Sequence, residues 1–236
     1  MKLSIIIPAY NEQDTIEEVI YRIKNADIDA NEKEIIVVDD GSTDNTRDII
    51  QRIPGIRYIL HERNLGKGGA VKTGFRNATG DILIIQDADL EYDPNEYKAM
   101  IRPILEGQAL ATNGVRIQPP RDIRRKKPHY WISWIGGKLI TTVTNFLYWH
   151  DAKEYSGCYK AFVKKIVDTT PVETNDFDFD NELICKLLRK RISIVDVPIH
   201  YYPRDYIAGK KIRFHHGVKI LYTVIRWRFK RMRSVA

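Results

Sequence analysis

Two aspartates that follow an apolar run are the residues with the clearest capacity for chemistry in this sequence. The segment DILIIQDADLEYDP, residues 81–94, places Asp87 and Asp89 where a buried strand would end. Carboxylates at such a position are costly unless a positive charge neutralises them, and a hard divalent cation does so while keeping water and substrate phosphates as further ligands. We therefore predict a metal site at Asp87 and Asp89. Asp93, which precedes Pro94, is instead typical of a helix cap.

A second acidic pair lies in the segment VVDDGSTDNT, again at the end of an apolar run. Asp39 and Asp40 precede a glycine turn, and a carboxylate there can accept hydrogen bonds from the N–H groups of a nucleobase edge. The neighbouring Ser42 and Asp44 are of the residue types that cap helices. We predict a binding role for the first pair and a turn or capping role for the second.

Two further clusters have weaker chemical signatures of their own. PAYNE, residues 8–12, ends the first apolar run, and NLGKGGAVKTG, residues 64–74, places Lys67 beside several glycines. Glycines permit close backbone approach, and a lysine beside them suits a phosphate group. The segment is neither a P-loop nor a Rossmann fingerprint, because the spacings of those motifs are absent. It predicts a phosphate contact of another kind.

The elements that would position these clusters alternate along the chain. Runs such as IIVV and ILII are continuously apolar, which indicates strands buried on both faces and hence a parallel sheet with helices on each side. We predict strands at 3–8, 34–39, 56–60, 82–86 and 193–198, helices at 14–24, 45–52, 67–77, 94–105, 181–190 and from 217 onward, and a strand followed by a helix around 158–167. Ligands of such sheets bind beyond the carboxyl ends of the strands. The predicted fold class is α/β.

Composition and charge describe an ordinary globular protein with two unlike halves. The chain has 236 residues, 43% of them hydrophobic and 29% charged. Residues 1–115 contain 13 Lys/Arg against 20 Asp/Glu, net −7, and residues 116–236 contain 25 against 11, net +14, which together give +7. We expect one half to bind cations and the other to meet something anionic. The two cysteines form no ligand or disulfide pattern, which favours a reducing cytoplasm.

In this order and spacing, the four clusters resemble the nucleotide-binding half of the inverting family-two glycosyltransferases, which have the GT-A fold. GKGGAVKTG and DADLEYDP are similar to the dolichol-phosphate mannose synthase and undecaprenyl-phosphate glycosyltransferase branch of that family. The resemblance covers nearly the whole chain. It implies a mostly parallel central sheet flanked by helices, a donor sugar linked to GDP or UDP, and dependence on Mg²⁺ or Mn²⁺.

The resemblance also implies roles for individual residues of the first half. Those expected at the nucleotide-sugar are Pro8, Tyr10, Glu12, Asp39, Asp40, Lys67, Gly68 and Asp87. Asp40, together with Asp39, would read the base. Asp87 and Asp89 would hold the metal, and Glu91 stands where this branch often has another metal-binding side chain. The ion would stabilise charge on the departing diphosphate, which makes Asp89 a catalytic residue.

The resemblance continues through three segments of the second half, EYSGCYKAF, FDFDNEL and YYPRDYIAGKKIRFHHG. Lys160 and Glu182 match the branch, whereas Glu154 and His216 stand where it usually has Asp. The matching residues of the last segment are Arg204, Tyr206, Gly209, Lys210 and Lys211. Among them Arg204, Lys210 and Lys211 are expected to be catalytic.

The basic character of the second half suits an acceptor phosphate, although a solvated basic face is the alternative. The set expected at that phosphate is Arg116, Lys160, Arg204, Lys210, Lys211 and Arg213. A phosphate monoester has a second pKa near 6 and is already a nucleophile at about neutral pH. In-line attack with inversion would then need no side-chain base. The expected acceptor is a polyprenyl phosphate, either dolichyl or undecaprenyl.

A hydroxyl acceptor on a glycan or small molecule is the alternative, and it requires a base. Asp151, Glu154 and Glu182 are the candidates for that role. A nucleic-acid-binding module is a third hypothesis that the basic half raises. It is disfavoured, because no recognised motif is present and the acidic half would repel a phosphate backbone.

Two segments predict contact with a lipid surface. From residue 217 onward apolar and basic residues occupy separate stripes of a helix, as in helices that lie in a membrane interface. Aromatic residues bracket the segment 130–149 and favour the headgroup region, with packing on the sheet as the alternative. We expect a cytoplasmic protein peripherally associated with the membrane, directly or through a separate membrane protein. The expected regions are 1–115 for the nucleotide-sugar, 116–216 for the acceptor and 217–236 as a basic amphipathic helix.

Overall fold

A computed structural model describes residues 1–117, 128–202 and 214–232 of the chain. Its strands are β1 (Lys2–Ala9), β2 (Glu32–Asp39), β3 (Arg57–Leu60), β4 (Ile82–Ile85), β5 (Ala111–Arg116), β6 (Lys160–Val163) and β7 (Ile194–Ile199). They form one sheet in the order β3-β2-β1-β4-β6-β5-β7. All neighbouring strands are parallel except β6, which runs antiparallel to β4 and β5.

Helices flank this sheet and follow most of its strands. They are α1 (Ile16–Asn25), α2 (Thr46–Arg52), α3 (Lys67–Asn77), α4 (Tyr97–Leu105), α5 (Pro128–Tyr148), α6 (Lys164–Asp168), α7 (Phe179–Arg189) and α8 (Phe214–Phe229). A 3₁₀ turn at Pro94–Glu96 precedes α4, and the Asp93 carboxylate accepts the Asn95 N–H, which confirms the predicted cap. The α/β fold class and the mostly parallel sheet are confirmed.

The central strand β1 shows why the apolar runs of this sequence are continuous. Ile5, Ile6 and Ile7 are completely buried, because β1 pairs in parallel with both β2 and β4 and helices cover its two faces. Parallel pairing also places the carboxyl ends of these three strands at one edge of the sheet. The loops that follow them therefore meet there.

The interior strand β5 was not among the predicted strands. Its sequence, ATNGVR, contains small and polar residues that have low strand propensity. Thr112 and Asn113 are nevertheless buried, since the Thr112 hydroxyl donates to the Met100 carbonyl and the Asn113 amide donates to Glu154 O and Asp196 Oδ1. Tertiary hydrogen bonds thus replace the apolar pattern by which the other strands are recognised.

The helices α5 and α8 pack side by side and carry apolar residues on their outer surface. The Tyr148 hydroxyl donates to the Val224 carbonyl at 2.8 Å, and Trp227 is buried beneath them. Their exposed large side chains are Ile135, Leu139, Phe146, Trp149, Val218, Tyr222, Ile225 and Phe229. We call this set the two-helix apolar face. Within the described residues, no helix is long and apolar enough to cross a membrane.

Close packing of α3 on β1 predicts a large effect of one added methyl group. A Cβ at Gly74 would overlap the Ile6 side chain, and overpacking of this kind costs about 1–3 kcal/mol. We expect Gly74→Ala to lower the free energy of unfolding by about that amount in urea titrations. Gly136→Ala in α5, where a Cβ would meet nothing within 4 Å, is the matched control and should not destabilise. Equal stability of the two variants would contradict this packing.

Candidate active site

The loops that follow β1 and β2 are tied together by hydrogen bonds between side chains and backbone. Asn11, at φ 51°, accepts the Thr43 N–H with its side-chain oxygen at 2.8 Å and donates its own N–H to Ser42 Oγ at 3.0 Å. The Glu12 N–H donates to the Thr46 hydroxyl at 2.8 Å. Asp44 accepts the Thr46 N–H two residues further on, in the turn before α2, which agrees with the turn part of its predicted role. These contacts hold residues 10–12 at the carboxyl edge of the sheet.

Asp39 and Asp40 are buried at this edge, and their oxygens already have partners. Asp39 Oδ2 accepts two hydrogen bonds from the Arg47 guanidinium, at 3.0 and 3.1 Å. Asp40 accepts the backbone N–H groups of Leu65 and Gly66, each at 2.9 Å. The described contacts of Asp40 therefore position the start of the segment NLGKGGAVKTG, which we call the glycine-rich loop. Base recognition by either carboxylate is a proposal that requires sharing of these oxygens, each of which has two lone pairs.

His61 completes this arrangement and was not singled out from the sequence. Its Nδ1 lies 2.7 Å from Asp40 Oδ1, and its Nε2 lies 3.0 Å from the Thr73 hydroxyl of α3. It thus connects the residue after β2 with α3, the helix that begins within the glycine-rich loop. Its place directly before the segment ERNLGKGG was the available signal.

Removal of the Asp40 charge should loosen the glycine-rich loop. The amide of Asp40→Asn can accept only one of the two loop N–H groups in its present orientation, and an unsatisfied buried donor costs about 1–3 kcal/mol. We expect a fall in unfolding free energy of that size and weaker nucleotide binding, measured by urea titration and calorimetry. Asp48→Asn, on the exposed side of α2, is the control. Unchanged nucleotide affinity in Asp40→Asn would contradict the positioning role.

The glycine-rich loop is held by close backbone packing at the start of α3. Gly66 has φ 88°, and a Cβ there would overlap the Asn175 carbonyl. Gly69 N–H donates to that same carbonyl at 3.0 Å. A Cβ on Gly68 would meet the Phe179 side chain. Glycine is therefore required at these positions, and the backbone of the intervening Lys67 is fixed.

Lys67 and Asp87 form the central ion pair of the site. Lys67 Nζ lies 2.5 Å from Asp87 Oδ1, with both side chains about one-fifth exposed, at 23% and 20%. Burial is the largest single influence on the pKa of Lys67 and lowers it, but the charge of Asp87, the hydrogen bond to it and the more distant Cys158 and Asp180 together raise the pKa above its usual value. Lys67 is therefore a cation in contact with a predicted metal-binding residue. The predicted closeness of the loop at 64–74 and the end of β4 is present in the structure.

Asp87 and Asp89 follow β4 and offer the hard oxygen ligands that Mg²⁺ and Mn²⁺ prefer. Asp89 is 8% exposed, and its Oδ1 accepts the Glu91 N–H at 3.0 Å. The contact between Asp87 and the Lys67 ammonium shows that this place attracts positive charge. The carboxylates present thus fit a divalent cation that takes its other ligands from a diphosphate and water.

The position of Glu91 departs from the expected three-carboxylate set. Burial, together with the charge of Glu91 and a hydrogen bond to it, raises the pKa of Tyr201, so the Glu91 carboxylate lies beside that phenol. In the part of the chain that the structure describes, no three His, Cys, Asp or Glu side chains form a group that could hold a metal ion. The metal-binding role of Glu91 beside Asp87 and Asp89 therefore remains a prediction.

Arg116, expected at the acceptor phosphate, is paired with Glu154. Its Nε donates to Glu154 Oε1 at 2.8 Å, its Nη2 donates to the same oxygen, and its backbone N–H donates to Oε2 at 3.2 Å. The guanidinium also lies 4.7 Å from the centre of the Tyr201 ring. Glu154 therefore neutralises an arginine, which does not support the alternative in which it is a free base. A phosphate contact of Arg116 remains a proposal.

Lys160 and Glu182 are buried in the interior, which differs from the expected phosphate contact of Lys160 and the alternative role of Glu182 as a base. Lys160 is fully buried, and its ammonium donates to Tyr155 O at 3.0 Å, to Gly157 O and to Asp180 Oδ2 at 2.9 Å. All three of its donors are used, so it does not face an acceptor phosphate. Glu182 is fully buried and pairs with Lys186 at 2.5 Å, so it does not face a substrate as a base. Asp151, the third candidate base, is exposed.

Several expected residues lie outside the described part of the chain. They are Arg204, Tyr206, Gly209, Lys210, Lys211 and Arg213. The segment 121–127, whose five Lys/Arg also suit an anionic lipid surface, lies outside it as well. The roles given to these residues remain predictions. Pro8 lies near the end of β1, Tyr10 and Glu12 follow that strand, and Gly68 lies in the first turn of α3; their contacts with a nucleotide are likewise proposals.

A comparison with protein families determines the family to which this chain belongs. Residues 4–170 match the family described as Glycosyl transferase family 2, a range that includes the ends of β1, β2 and β4 and the glycine-rich loop. The chain belongs to glycosyl transferase family 2. The resemblance that the motifs indicated at the family level is confirmed, and the protein is a glycosyltransferase.

Solved structures agree on the fold of this family 2 protein. Crystal structures of glucosyl-3-phosphoglycerate synthase from Mycobacterium tuberculosis are similar to it. The complex with phosphoglyceric acid has a TM-score of 0.73 at 20% identity and covers 96% of this chain and 79% of that one. The complex with Mn²⁺, uridine-diphosphate and phosphoglyceric acid has a TM-score of 0.73 at 18% identity and covers 97% and 78%. The GT-A fold is thereby confirmed.

Proposed function

We propose that this protein transfers a sugar from a GDP- or UDP-linked donor to the phosphate of a polyprenyl phosphate, with inversion and with Mg²⁺ or Mn²⁺. The observation that carries the donor half is the contact of Lys67 with Asp87, which follows β4 together with Asp89 at the carboxyl edge of a parallel sheet. Carboxylates for a cation and a lysine for a phosphate are what a nucleoside diphosphate requires.

A bound Mg²⁺ or Mn²⁺ would supply charge neutralisation for the departing diphosphate. Asp87 and Asp89 are the residues of this chain that would hold it. The mycobacterial neighbour was crystallised with Mn²⁺ and uridine-diphosphate, which supports the choice of ion. Lys67 would bind the diphosphate oxygens, and residues 8–12 would line the nucleoside.

The acceptor half of the proposal depends on charge and on an apolar surface. A lipid phosphate brings a second anion to the donor diphosphate, so cationic side chains must lie on its side of the site. We assign that role to Arg116, half-buried at the end of β5, and to Arg204, Lys210, Lys211 and Arg213 from the sequence. The two-helix apolar face supplies a surface that suits the lipid.

A second candidate acceptor is a small phosphorylated acid that accepts the sugar on a hydroxyl. The presence of phosphoglyceric acid in the neighbouring mycobacterial structures favours it. Such an acceptor shares the phosphate with a polyprenyl phosphate but requires a base. Of the three candidate bases, Glu154 and Glu182 are paired with cations. Asp151 is exposed and is therefore the candidate that we propose for this role.

Radiolabelled sugar transfer distinguishes these acceptors. The full chain would be incubated with Mn²⁺ and UDP-glucose, UDP-N-acetylglucosamine or GDP-mannose, and with undecaprenyl phosphate, dolichyl phosphate or 3-phosphoglycerate. We expect label in the organic phase with one polyprenyl phosphate. Label only in the aqueous product with 3-phosphoglycerate would replace the first acceptor by the second. Absence of transfer from every donor would refute the proposal.

We further propose that the protein works at the cytoplasmic surface of a membrane, held by the two-helix apolar face. Phe146, Trp149 and Phe229 are each more than three-quarters exposed, at 79%, 82% and 76%. The Arg228 guanidinium lies 4.4 Å from the centre of the Trp149 ring. Cations beside exposed aromatic rings suit an anionic headgroup region.

Loss of exposed aromatic groups should weaken vesicle binding. Full burial of a phenylalanine side chain is worth about 1.5–3 kcal/mol, so Phe146→Ser with Phe229→Ser should reduce co-sedimentation with phosphatidylserine-containing vesicles by a factor of about ten or more. Tyr21→Ser removes an exposed aromatic side chain, 64% accessible, from α1 and should leave binding unchanged. The membrane proposal would be contradicted if the unaltered chain did not bind the vesicles. It would also be contradicted if the double substitution left vesicle binding unchanged.

A further inference from the structure

The Lys67 ammonium lies at the place that the proposed cation would share. It contacts Asp87 Oδ1 at 2.5 Å, and this carboxylate is one of the two that follow β4. Two carboxylates, 20% and 8% exposed and separated by one residue in sequence, are unfavourable at this edge without a counter-charge. Lys67 provides that counter-charge in the free protein. A divalent cation that binds Asp87 must therefore compete with a positive group of the protein itself.

The backbone around Lys67 restricts which part of the residue can move. Lys67 is the first residue of α3, between Gly66 and Gly68, both of which pack against the backbone of residues 175 and 176. The helix start is thus fixed, whereas the four-carbon side chain retains its rotamers. A change of partner can therefore take place by rotation of the side chain alone, with no displacement of the loop.

We propose that Lys67 is a built-in counter-ion that couples metal binding to donor binding, by exchanging Asp87 for a diphosphate oxygen. The inference rests on the proposed nucleotide-sugar function and deepens it. Before the donor arrives, Lys67 occupies Asp87 and keeps metal affinity low. The donor diphosphate attracts Lys67, Asp87 becomes available to the ion, and the ion in turn strengthens the diphosphate contact. Each ligand raises the affinity of the other by the same factor, because the coupling is reciprocal.

This exchange differs in its consequences from a purely structural ion pair. If Lys67 only stabilised the edge, its removal would weaken metal and nucleotide binding together. If it is an exchangeable counter-ion, its removal strengthens binding of the metal alone and weakens binding of the nucleotide alone. The opposite signs of these two effects identify the role.

The test measures Mn²⁺ binding by the electron paramagnetic resonance signal of the free ion, with and without saturating UDP or GDP. Lys67→Met keeps most of the stem and removes the charge. Lys98→Met removes the same charge from a surface ion pair with Asp27 and Asp29 and is the control. We expect Lys67→Met to bind Mn²⁺ alone about tenfold more tightly than the unaltered chain, and the effect of nucleotide on Mn²⁺ affinity to fall at least tenfold. The control should match the unaltered chain.

Unchanged or weaker binding of Mn²⁺ alone by Lys67→Met would overturn the inference, and Lys67→Gln provides the same comparison if the first variant does not fold. Failure of UDP and GDP to bind the unaltered chain would count against the proposed function instead. The metal-only titration needs neither nucleotide nor acceptor, so the two failures are distinguishable.

Discussion

Asp89→Asn is expected to reduce sugar transfer by about three orders of magnitude while the protein stays folded. Asp89 is 8% exposed at the end of β4, and its Oδ1 accepts the Glu91 N–H. An asparagine keeps the size of the side chain and that hydrogen bond, but it loses the negative charge that the proposed cation requires. The loss should therefore appear in kcat and in Mn²⁺ affinity, with the unfolding transition nearly unchanged.

Asp93→Asn is the matched control for this experiment. Asp93 lies in the same acidic segment, but its carboxylate caps the 3₁₀ turn before α4, a contact that asparagine also makes. This variant should retain transfer activity. Near-normal activity of Asp89→Asn, or an equal loss in both variants, would show that the segment acts through fold stability and holds no catalytic ion.

The first half of the chain was predictable because local pattern and tertiary environment agree there. The predicted helix at 67–77 has the bounds of α3, and the strands β1, β2 and β4 were expected within a few residues. Each of these strands is buried on both faces, so its apolar run is unbroken. The clusters at their ends follow from the geometry of parallel sheets, since carboxyl ends share an edge.

The partners of the charged residues could not be read from the sequence. Lys160 and Glu154 have the residue types that a substrate site would need, yet each is paired with a residue distant in sequence, Asp180 and Arg116. A motif specifies that a charge is required near a strand end. It does not specify whether the charge faces a ligand or compensates another buried charge, because that depends on long-range packing.

The strand β5 and the contact between His61 and Asp40 illustrate the same limit in two other ways. β5 has no apolar alternation, and its Thr112 hydroxyl and Asn113 amide N–H groups donate to neighbours from α4 and β7. His61 is a single residue in a loop, and only the fold brings it to Asp40. A periodic pattern of apolar residues predicts which side chains are buried. It does not predict burial that depends on hydrogen bonds across the fold, because such contacts leave no periodic pattern in the sequence.

Glu182→Ala is expected to lower the free energy of unfolding by about 3–5 kcal/mol, the cost of leaving a buried charge without its partner. Glu182 is fully buried in α7, where its carboxylate accepts the backbone N–H groups of Glu173 and Thr174 at 2.7 and 2.9 Å and pairs with Lys186 at 2.5 Å. Its removal leaves the two backbone donors without an acceptor and the Lys186 ammonium, which also donates to the Pro171 carbonyl, without its counter-charge. Urea titration measures the loss.

The same substitution decides between a structural and a catalytic role for Glu182. A catalytic base would lose turnover with the fold intact, and its titration would disappear from the pH–rate profile. A structural carboxylate loses stability, and the fraction that remains folded keeps its specific activity and its pH–rate profile. Asp151→Asn, at an exposed position, is the comparison, because it should leave stability unchanged and reduce turnover only if the acceptor is a hydroxyl. A stable, inactive Glu182→Ala would therefore overturn the interior role and return a carboxylate base to the mechanism.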